Sequence, residues 1–270
     1  CYKTREPVNF KERMSGEKLA LSVGSKWGEL FDCGWFHFEG KVPACCKGKK
    51  TVLLIDVNGE GLIFDEKGNP KRGLTCVKSQ FCDALGNPGK RVYILAERAS
   101  GDEVIDIWMD AGCNDLFGEF KGEGTVQEAY IATMDEEIRE LFYDMYVLGN
   151  LLGVIDPRSA QYNRVLFGMY EAVCKLKCYS REELLDLLTA VKKLYKKGGE
   201  GYLKFTAIGH AHIDLAWLWP IRETRRKGAR TFSTVLDLMD RYPEYIFGAS
   251  QPQLYQWIKE EYPELYERIR

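Results

Sequence analysis

The feature that most constrains the fold is a change in hydrophobic periodicity near Thr133. Before this point short apolar runs alternate with turns, and after it apolar residues recur at helical spacing. Side chains repeat every two residues in a strand and about every 3.6 residues in a helix, so neither pattern serves for the other. The change predicts more than one structural region in the 270 residues, a length that accommodates two domains.

Residues 1–132 have the pattern of many short strands. Strands are predicted at 35–42, 51–57, 61–64, 91–96 and 104–109, and a turn at 65–70. Short strands with turn signals and no helical period predict a β-sandwich or jelly-roll domain. His37, which lies among aromatic residues, is interpreted as a packed and hydrogen-bonded side chain.

Residues 133–200 are predicted to form a helical connecting region. Thr133 and Glu136 have capping-box spacing, Pro157 opens a second helix, and Ser180 with Glu183 caps a third. The apolar stripes of these helices are assigned to core packing and not to chemistry: Ile138, Leu141, Phe142, Met145, Leu148, Leu152, Val165, Met169, Val173, Leu176, Leu184, Leu187, Leu188, Val191 and Leu194.

Residues 201–270 follow the order strand, helix, strand, helix, with strands predicted at 204–209 and 245–250. This order predicts parallel strands joined by a right-handed crossover. Ligands of such sheets bind beyond the carboxyl ends of the strands, a rule that selects residues 210–220.

Composition and charge argue against two classes of partner. The net charge of −2 gives no general attraction to nucleic acid or to anionic lipid. There is no apolar run of membrane-spanning length and no basic and apolar leader at the start. One basic cluster is interpreted as a solvated helix face: Arg222, Arg225, Arg226, Lys227 and Arg230.

The nine cysteines indicate a reducing environment. Their number is odd, their spacing is irregular, and Cys45 adjoins Cys46, as expected of free thiols in a cytoplasmic protein. Cys174 and Cys178 lie four residues apart, but no second pair completes a zinc site. We interpret them as small buried side chains.

The segment 209–220 reads Gly-His-Ala-His-Ile-Asp-Leu-Ala-Trp-Leu-Trp-Pro and holds two of the three histidines. On an extended backbone His210, His212 and Asp214 share a face, and imidazole with carboxylate suits Zn²⁺. The alternative is that both histidines end a strand for structural reasons, and we favour the metal.

Two tryptophans follow these residues. An indole face packs against the C–H surface of a pyranose, so Trp217 is a candidate sugar contact, whereas Trp219 is expected in the core.

The stretch 210–220 resembles the amino-terminal barrel motif of the class II α-mannosidases, glycoside hydrolase family 38, most closely their cytosolic and bacterial branch. The likeness continues through 223–232, 250–257 and 263–267, and residues 1–132 more weakly resemble the sandwich that precedes the barrel in that branch. The resemblance implies a multi-domain α+β protein with a jelly-roll-like sandwich at 1–132, a helical connection at 133–200 and the first units of an incomplete parallel (β/α) barrel at 201–270.

The resemblance also implies a function, the retaining hydrolysis of terminal α-linked mannose from oligosaccharides with one Zn²⁺. Carried over by position, His212 and Asp214 are the zinc ligands, His210 supports them and Trp217 lines the mannose subsite. The nucleophile and the acid/base of the family have no counterpart here and are expected beyond Arg270. The 270 residues alone are therefore expected to be an inactive amino-terminal portion.

Two other functions stay open. Metal-dependent amidohydrolases also open their barrels with His-x-His, and the sandwich alone is compatible with a non-catalytic carbohydrate-binding protein. The Trp-x-Trp-Pro continuation and the preceding sandwich favour the mannosidase.

Overall fold

A computed structural model of the chain describes residues 1–76, 90–114, 123–195 and 204–270. Their contacts form two compact units. The larger unit comprises Cys1–Thr133 and Thr206–Arg270, and the helical unit comprises Met134–Phe205. The domain boundaries at 132/133 and 200/201 stay predictions.

The first part of the larger unit is built from antiparallel strands, as the sequence predicts. They are β1 (Tyr2–Thr4), β2 (Glu17–Lys18), β3 (Lys26–Gly28), β4 (Cys33–Lys41), β5 (Thr51–Asp56), β6 (Glu60–Phe64), β7 (Pro70–Leu74), β8 (Val92–Ala96), β9 (Val104–Gly112), β10 (Gly124–Thr125) and β11 (Glu128–Thr133). A six-stranded sheet has the order β2-β1-β4-β9-β6-β7, a three-stranded sheet the order β11-β5-β8, and β10 pairs with β3.

The six-stranded sheet is covered on both faces. Alternate residues along β4, β6 and β9 point in opposite directions. Phe36, Ile63 and Met109 pack into a core shared with β5 and its neighbours. Their chain neighbours pack on the other side, against the helices that follow residue 220. Burial on both faces explains why every residue of β6 is buried.

The rest of the larger unit has the predicted alternating order. It contains β12 (Gly209–His210), α4 (Ile221–Arg241), β13 (Phe247–Gly248), α5 (Pro252–Glu261) and α6 (Pro263–Ile269). β12 and β13 are parallel, with Gly209 opposite Phe247 and His210 opposite Gly248. Both strands are shorter than predicted. Phe205 and Ile208 are 90% and 62% exposed and pair with no strand among the described residues, so their apolar character alone does not form a ladder.

The helical unit contains α1 (Glu136–Leu152), α2 (Ala160–Val173) and α3 (Arg181–Lys192). The predicted capping box of Ser180 and Glu183 is confirmed. The one predicted at Thr133 is wrong because Thr133 pairs with Thr51 in the ladder of β11 and β5.

Asp135 caps α1 instead, and its carboxylate accepts a hydrogen bond from the backbone N–H of Ile138. The second helix does not open at Pro157, since Ser159 is its N-cap.

The apolar stripes of the helical unit meet in one core, as predicted, with three exceptions, Ile138, Phe142 and Val173. The buried members are Leu141, Leu148, Val165, Ala172, Leu187, Leu188 and Val191. Phe142 and Val173 are 51% and 40% exposed.

The described cysteines are free thiols, and Cys82 lies outside the described residues. Cys174 and Cys178 are exposed, so our interpretation of them as buried is wrong. Cys174 is the C-cap of α2 and Cys178 lies in the connection to α3, and neither side chain belongs to the core of the helical unit. Across the described part of the chain, no helix combines the length and the apolar character needed to cross a membrane.

Candidate functional site

The candidate site begins at the carboxyl end of β12. Beyond His210 successive side chains alternate between the core and the solvent. Ile213 is only 6% exposed and packs in the core beneath the helices, while His212 and Asp214 point away from that core. His212 Nε2 lies 3.2 Å from Asp214 Oδ1. The two side chains therefore share one face of the chain, as an extended backbone predicts.

The donor set fits a zinc ion. Two ligands of tetrahedral zinc, each about 2.0–2.2 Å from the metal, lie roughly 3.3–3.5 Å apart, close to the separation of His212 Nε2 and Asp214 Oδ1. Both side chains are accessible, 75% for His212 and 37% for Asp214. Within the described ranges no group of three or more His, Cys, Asp or Glu side chains is arranged to hold a metal. His210 therefore does not complete a triad, and the metal roles stay predictions.

The loop that carries these residues is fastened to the first turn of α4. The indole Nε1 of Trp219 donates to Thr224 Oγ1 at 2.9 Å, and the Thr224 hydroxyl donates to the carbonyl oxygen of Leu215 at 2.9 Å. Thr224 is fully buried. These bonds fix the backbone next to Asp214. Trp217, in contrast, is 58% exposed and free to contact a ligand.

A cavity of about 620 Å³ opens beside the loop, within the range of small-molecule sites. One wall carries His210, His212, Asp214 and Trp217. Residues of the sandwich, including Glu60, Thr75 and Lys90, also line the cavity, as do Lys227 and Arg230 of α4. The sequence predicts the candidate site at residues 210–220 alone. The contribution of the sandwich is a finding of the structure.

The basic cluster of α4 is not a solvated face, which corrects our interpretation. Arg226, Lys227 and Arg230 are only 4–6% exposed, and the acids that neutralise them, Glu60, Asp110 and Glu223, are equally buried. We call these six residues the buried charge cluster. Arg222 and Arg225, at the edge of the same stretch, are partly accessible.

Two strands of the sandwich supply two of the three carboxylates of the buried charge cluster, and α4 itself supplies the third, Glu223. Asp110 of β9 accepts hydrogen bonds from Arg226 Nε at 2.9 Å and Nη2 at 2.6 Å. Glu60 of β6 accepts from Lys227 Nζ at 2.6 Å and from Arg230 Nη2 at 2.9 Å.

Glycines on β9 and β7 allow α4 to approach the sandwich. A Cβ on Gly112 would lie 2.8 Å from Arg226 Nη1, and one on Gly73 would lie 2.9 Å from Thr234 Oγ1.

The electrostatics of the buried charge cluster favour the charged forms of Glu223 and Arg226. Burial raises the pKa of Glu223, but the cations Arg230 and Arg226 outweigh burial and hold the pKa below its usual value. Burial lowers the pKa of Arg226, yet Asp110 and Glu223 raise it well above the usual value. For both of these groups, pairing with opposite charges outweighs the loss of water.

A signal for the cluster is present in one strand and not in the helix. Asp110 interrupts the apolar stretch 107–113, and an acid that is buried in such a position is paired with a cation or a metal. The basic stripe of α4 alone does not distinguish a solvated face from a buried one.

Residues 1–138 match the family described as "Alpha-mannosidase, jelly roll domain". Residues 202–270 match the "Glycosyl hydrolases family 38 N-terminal domain", and this match includes the loop of His212 and Asp214.

Curated relatives align along almost the whole chain. "Alpha-mannosidase 2C1" of Homo sapiens is 30% identical over 99% of this chain and 26% of its own length. "Alpha-mannosidase G" of Dictyostelium discoideum is 28% identical over 98% of the chain and 25% of its own length. "Alpha-mannosidase" of Saccharomyces cerevisiae is 28% identical over 92% of the chain and 24% of its own length. The chain thus spans about a quarter of the length of the curated relatives it matches.

Proposed function

Because this chain belongs to the α-mannosidases of glycoside hydrolase family 38, we propose that the protein releases terminal α-linked mannose from oligosaccharides in a metal-dependent, retaining reaction. The observation that carries the proposal is the 3.2 Å contact of His212 and Asp214 in a cavity that also exposes Trp217. This places a metal-compatible pair beside an aromatic face suited to a pyranose.

Each residue of this wall has a proposed task. His212 and Asp214 would hold Zn²⁺, His210 supports them from the strand end, and the indole face of Trp217 orients the mannose ring. Bound there, Zn²⁺ would supply an electrophilic contact for the 2- and 3-hydroxyls of the terminal mannose. We further propose that residues 201–270 begin a parallel (β/α) barrel, consistent with the parallel pairing of β12 and β13.

Retaining hydrolysis needs two carboxyl groups about 5 Å apart, one as nucleophile and one as acid/base. Among the described residues that line the cavity, the carboxylates are Glu60 and Asp214. Glu60 is bound by Lys227 and Arg230, and Asp214 is assigned to the metal. We therefore assign neither catalytic role among the described residues and expect residues 1–270 alone not to hydrolyse mannosides.

Amidohydrolase chemistry and simple carbohydrate binding are the competing functions. The coverage of the six-stranded sheet on both faces weighs against a sugar site on its surface.

The free thiols support a cytoplasmic location, which we propose together with the absence of nucleic-acid and membrane partners.

Hydrolysis of p-nitrophenyl α-mannoside by the full-length protein, with and without chelator, tests the proposal. His212→Ala and Asp214→Ala should each lower activity by at least about a hundredfold and remove most of the bound zinc. His37→Ala is the matched control, because it also removes a histidine that pairs with an aspartate. His37 lies 2.7 Å from Asp106 and stacks on Trp108.

The first product should be the α-anomer by NMR. Full zinc occupancy in both site variants would place the metal elsewhere, and amide cleavage without mannoside cleavage would favour the amidohydrolase.

A further inference from the structure

A series of contacts connects the sandwich to the candidate sugar site. Lys227, only 5% exposed, donates from Nζ to Glu60 Oε2 of β6 at 2.6 Å. The same ammonium lies 4.6 Å from the centroid of the Trp219 ring. One buried cation thus contacts a carboxylate of the sandwich and an aromatic ring of the site loop.

The contacts continue from the ring to the backbone beside the metal pair. Trp219 Nε1 donates to Thr224 Oγ1, and Thr224 donates to the carbonyl oxygen of Leu215, which follows Asp214 in the chain. Any displacement of Trp219 is therefore transmitted to Leu215 and Asp214.

We propose that Lys227 is a positioning residue, which holds Trp219 between the sandwich and the site loop and thereby fixes Asp214 and Trp217 for mannoside binding. The inference rests on the proposed function and extends it, because it makes the sandwich a structural part of the sugar site.

The attraction between Lys227 and Trp219 is strong in this setting. A cation over an indole face is favourable, and the attraction grows when water is excluded. Displacement of a positioning group by about 1 Å costs up to roughly a hundredfold in rate. Loss of the ammonium should therefore affect the site loop more than the fold.

Glu60 keeps other partners when Lys227 is changed. Its Oε2 also accepts from Arg230 Nη2 at 2.9 Å and from Asn114 Nδ2 at 3.1 Å. Lys227→Met preserves the length of the side chain and removes the ammonium without leaving Glu60 unpaired.

Arg225→Met is a matched control on the same helix. Arg225 forms an ion pair with Glu261 and lies 5.0 Å from the centroid of the Trp257 ring, so it has the same two kinds of contact as Lys227. It does not line the cavity of His212 and Asp214. A general loss of an ion pair and a cation–π contact on α4 therefore appears in both variants.

The full-length protein and both variants should be compared for KM and kcat on p-nitrophenyl α-mannoside and for zinc affinity by chelator competition. Lys227→Met should raise KM or lower kcat so that kcat/KM falls about tenfold to a hundredfold, and should weaken zinc binding about tenfold. Arg225→Met should change both by less than about twofold. A smaller folded fraction would lower the apparent kcat but leave KM and the zinc affinity of the folded molecules unchanged.

Thr224→Val gives a second measurement if Lys227→Met does not fold, since it removes the hydroxyl that joins Trp219 to Leu215. It should shift KM and zinc affinity in the same direction. If Lys227→Met, or Thr224→Val in its place, has the same KM and zinc affinity as Arg225→Met, the positioning role is overturned and the proposed function stays intact. Zinc binding without any mannoside release by the unmodified full-length protein would contradict the proposed function itself.

Discussion

Arg226 in the larger unit and Arg181 in the helical unit have the same kind of partners in opposite surroundings. Arg226 binds Asp110 through two nitrogens and Glu223 through a third at 3.0 Å. Arg181 binds Asp135 at 2.8 Å and also reaches Glu137. The side chain of Arg226 is 5% exposed and that of Arg181 is 57% exposed.

This difference determines what each interaction contributes. An exposed ion pair exchanges its contacts for water at little cost and is screened by salt. A buried pair has already lost its hydration, so removal of one partner leaves a charge that neither water nor protein satisfies. The contacts of Arg181 therefore stabilise its unit weakly. The contacts of Arg226 are required for the stability of the larger unit once the buried charge cluster has formed.

The largest expected effect comes from Arg226→Met, which leaves Asp110 and Glu223 buried without this cation. The free energy of unfolding should fall by about 3–5 kcal/mol. All six tryptophans lie in the segments of the larger unit, so denaturation of the 270-residue chain followed by tryptophan fluorescence measures this unit directly. An unchanged midpoint would mean that the cluster is hydrated in solution, and the comparison with Arg181 would lose its basis.

The sequence anticipated the features that have a local cause. Ser180 and Glu183 cap α3 because four neighbouring residues suffice for the reciprocal hydrogen bonds. His212 and Asp214 face the same way because residues two apart do so on an extended backbone.

The cluster was missed because its cause is not local. Arg230 meets Glu60 across 170 residues of chain, and Arg226 meets Asp110 across 116. A helical pattern of charges shows which residues share a face, but the surroundings of that face are set by tertiary packing.

A smaller effect is expected from Glu223→Gln, which keeps the shape of the side chain and removes its charge. At neutral pH the variant should be less stable by about 1.5–3 kcal/mol, the range for hydrogen bonds to charged groups.

The pH dependence of this effect follows from the lowered pKa of Glu223, whose usual value is 4.5. The stabilisation by the carboxylate is complete above that value and is lost as the pH falls through the lower pKa of the folded state. Fluorescence-detected unfolding between pH 7 and pH 3 should therefore show the two curves converging on acidification, with the variant less sensitive to acid. Parallel curves would assign the acid sensitivity to other carboxylates.

The smallest expected effect is that of Arg181→Ala. Asp135 retains its hydrogen bond from the backbone N–H of Ile138 when Arg181 is removed, so the cap of α1 persists. Glu137, exposed at the surface, is hydrated in place of the guanidinium. The midpoint of thermal unfolding, followed by helical circular dichroism, should fall by no more than about 2 °C, and the difference should shrink further at high salt. Tryptophan fluorescence should not change, since the helical unit contains no tryptophan. A shift as large as that of Arg226→Met would show that exposure does not decide the contribution of these two arginines.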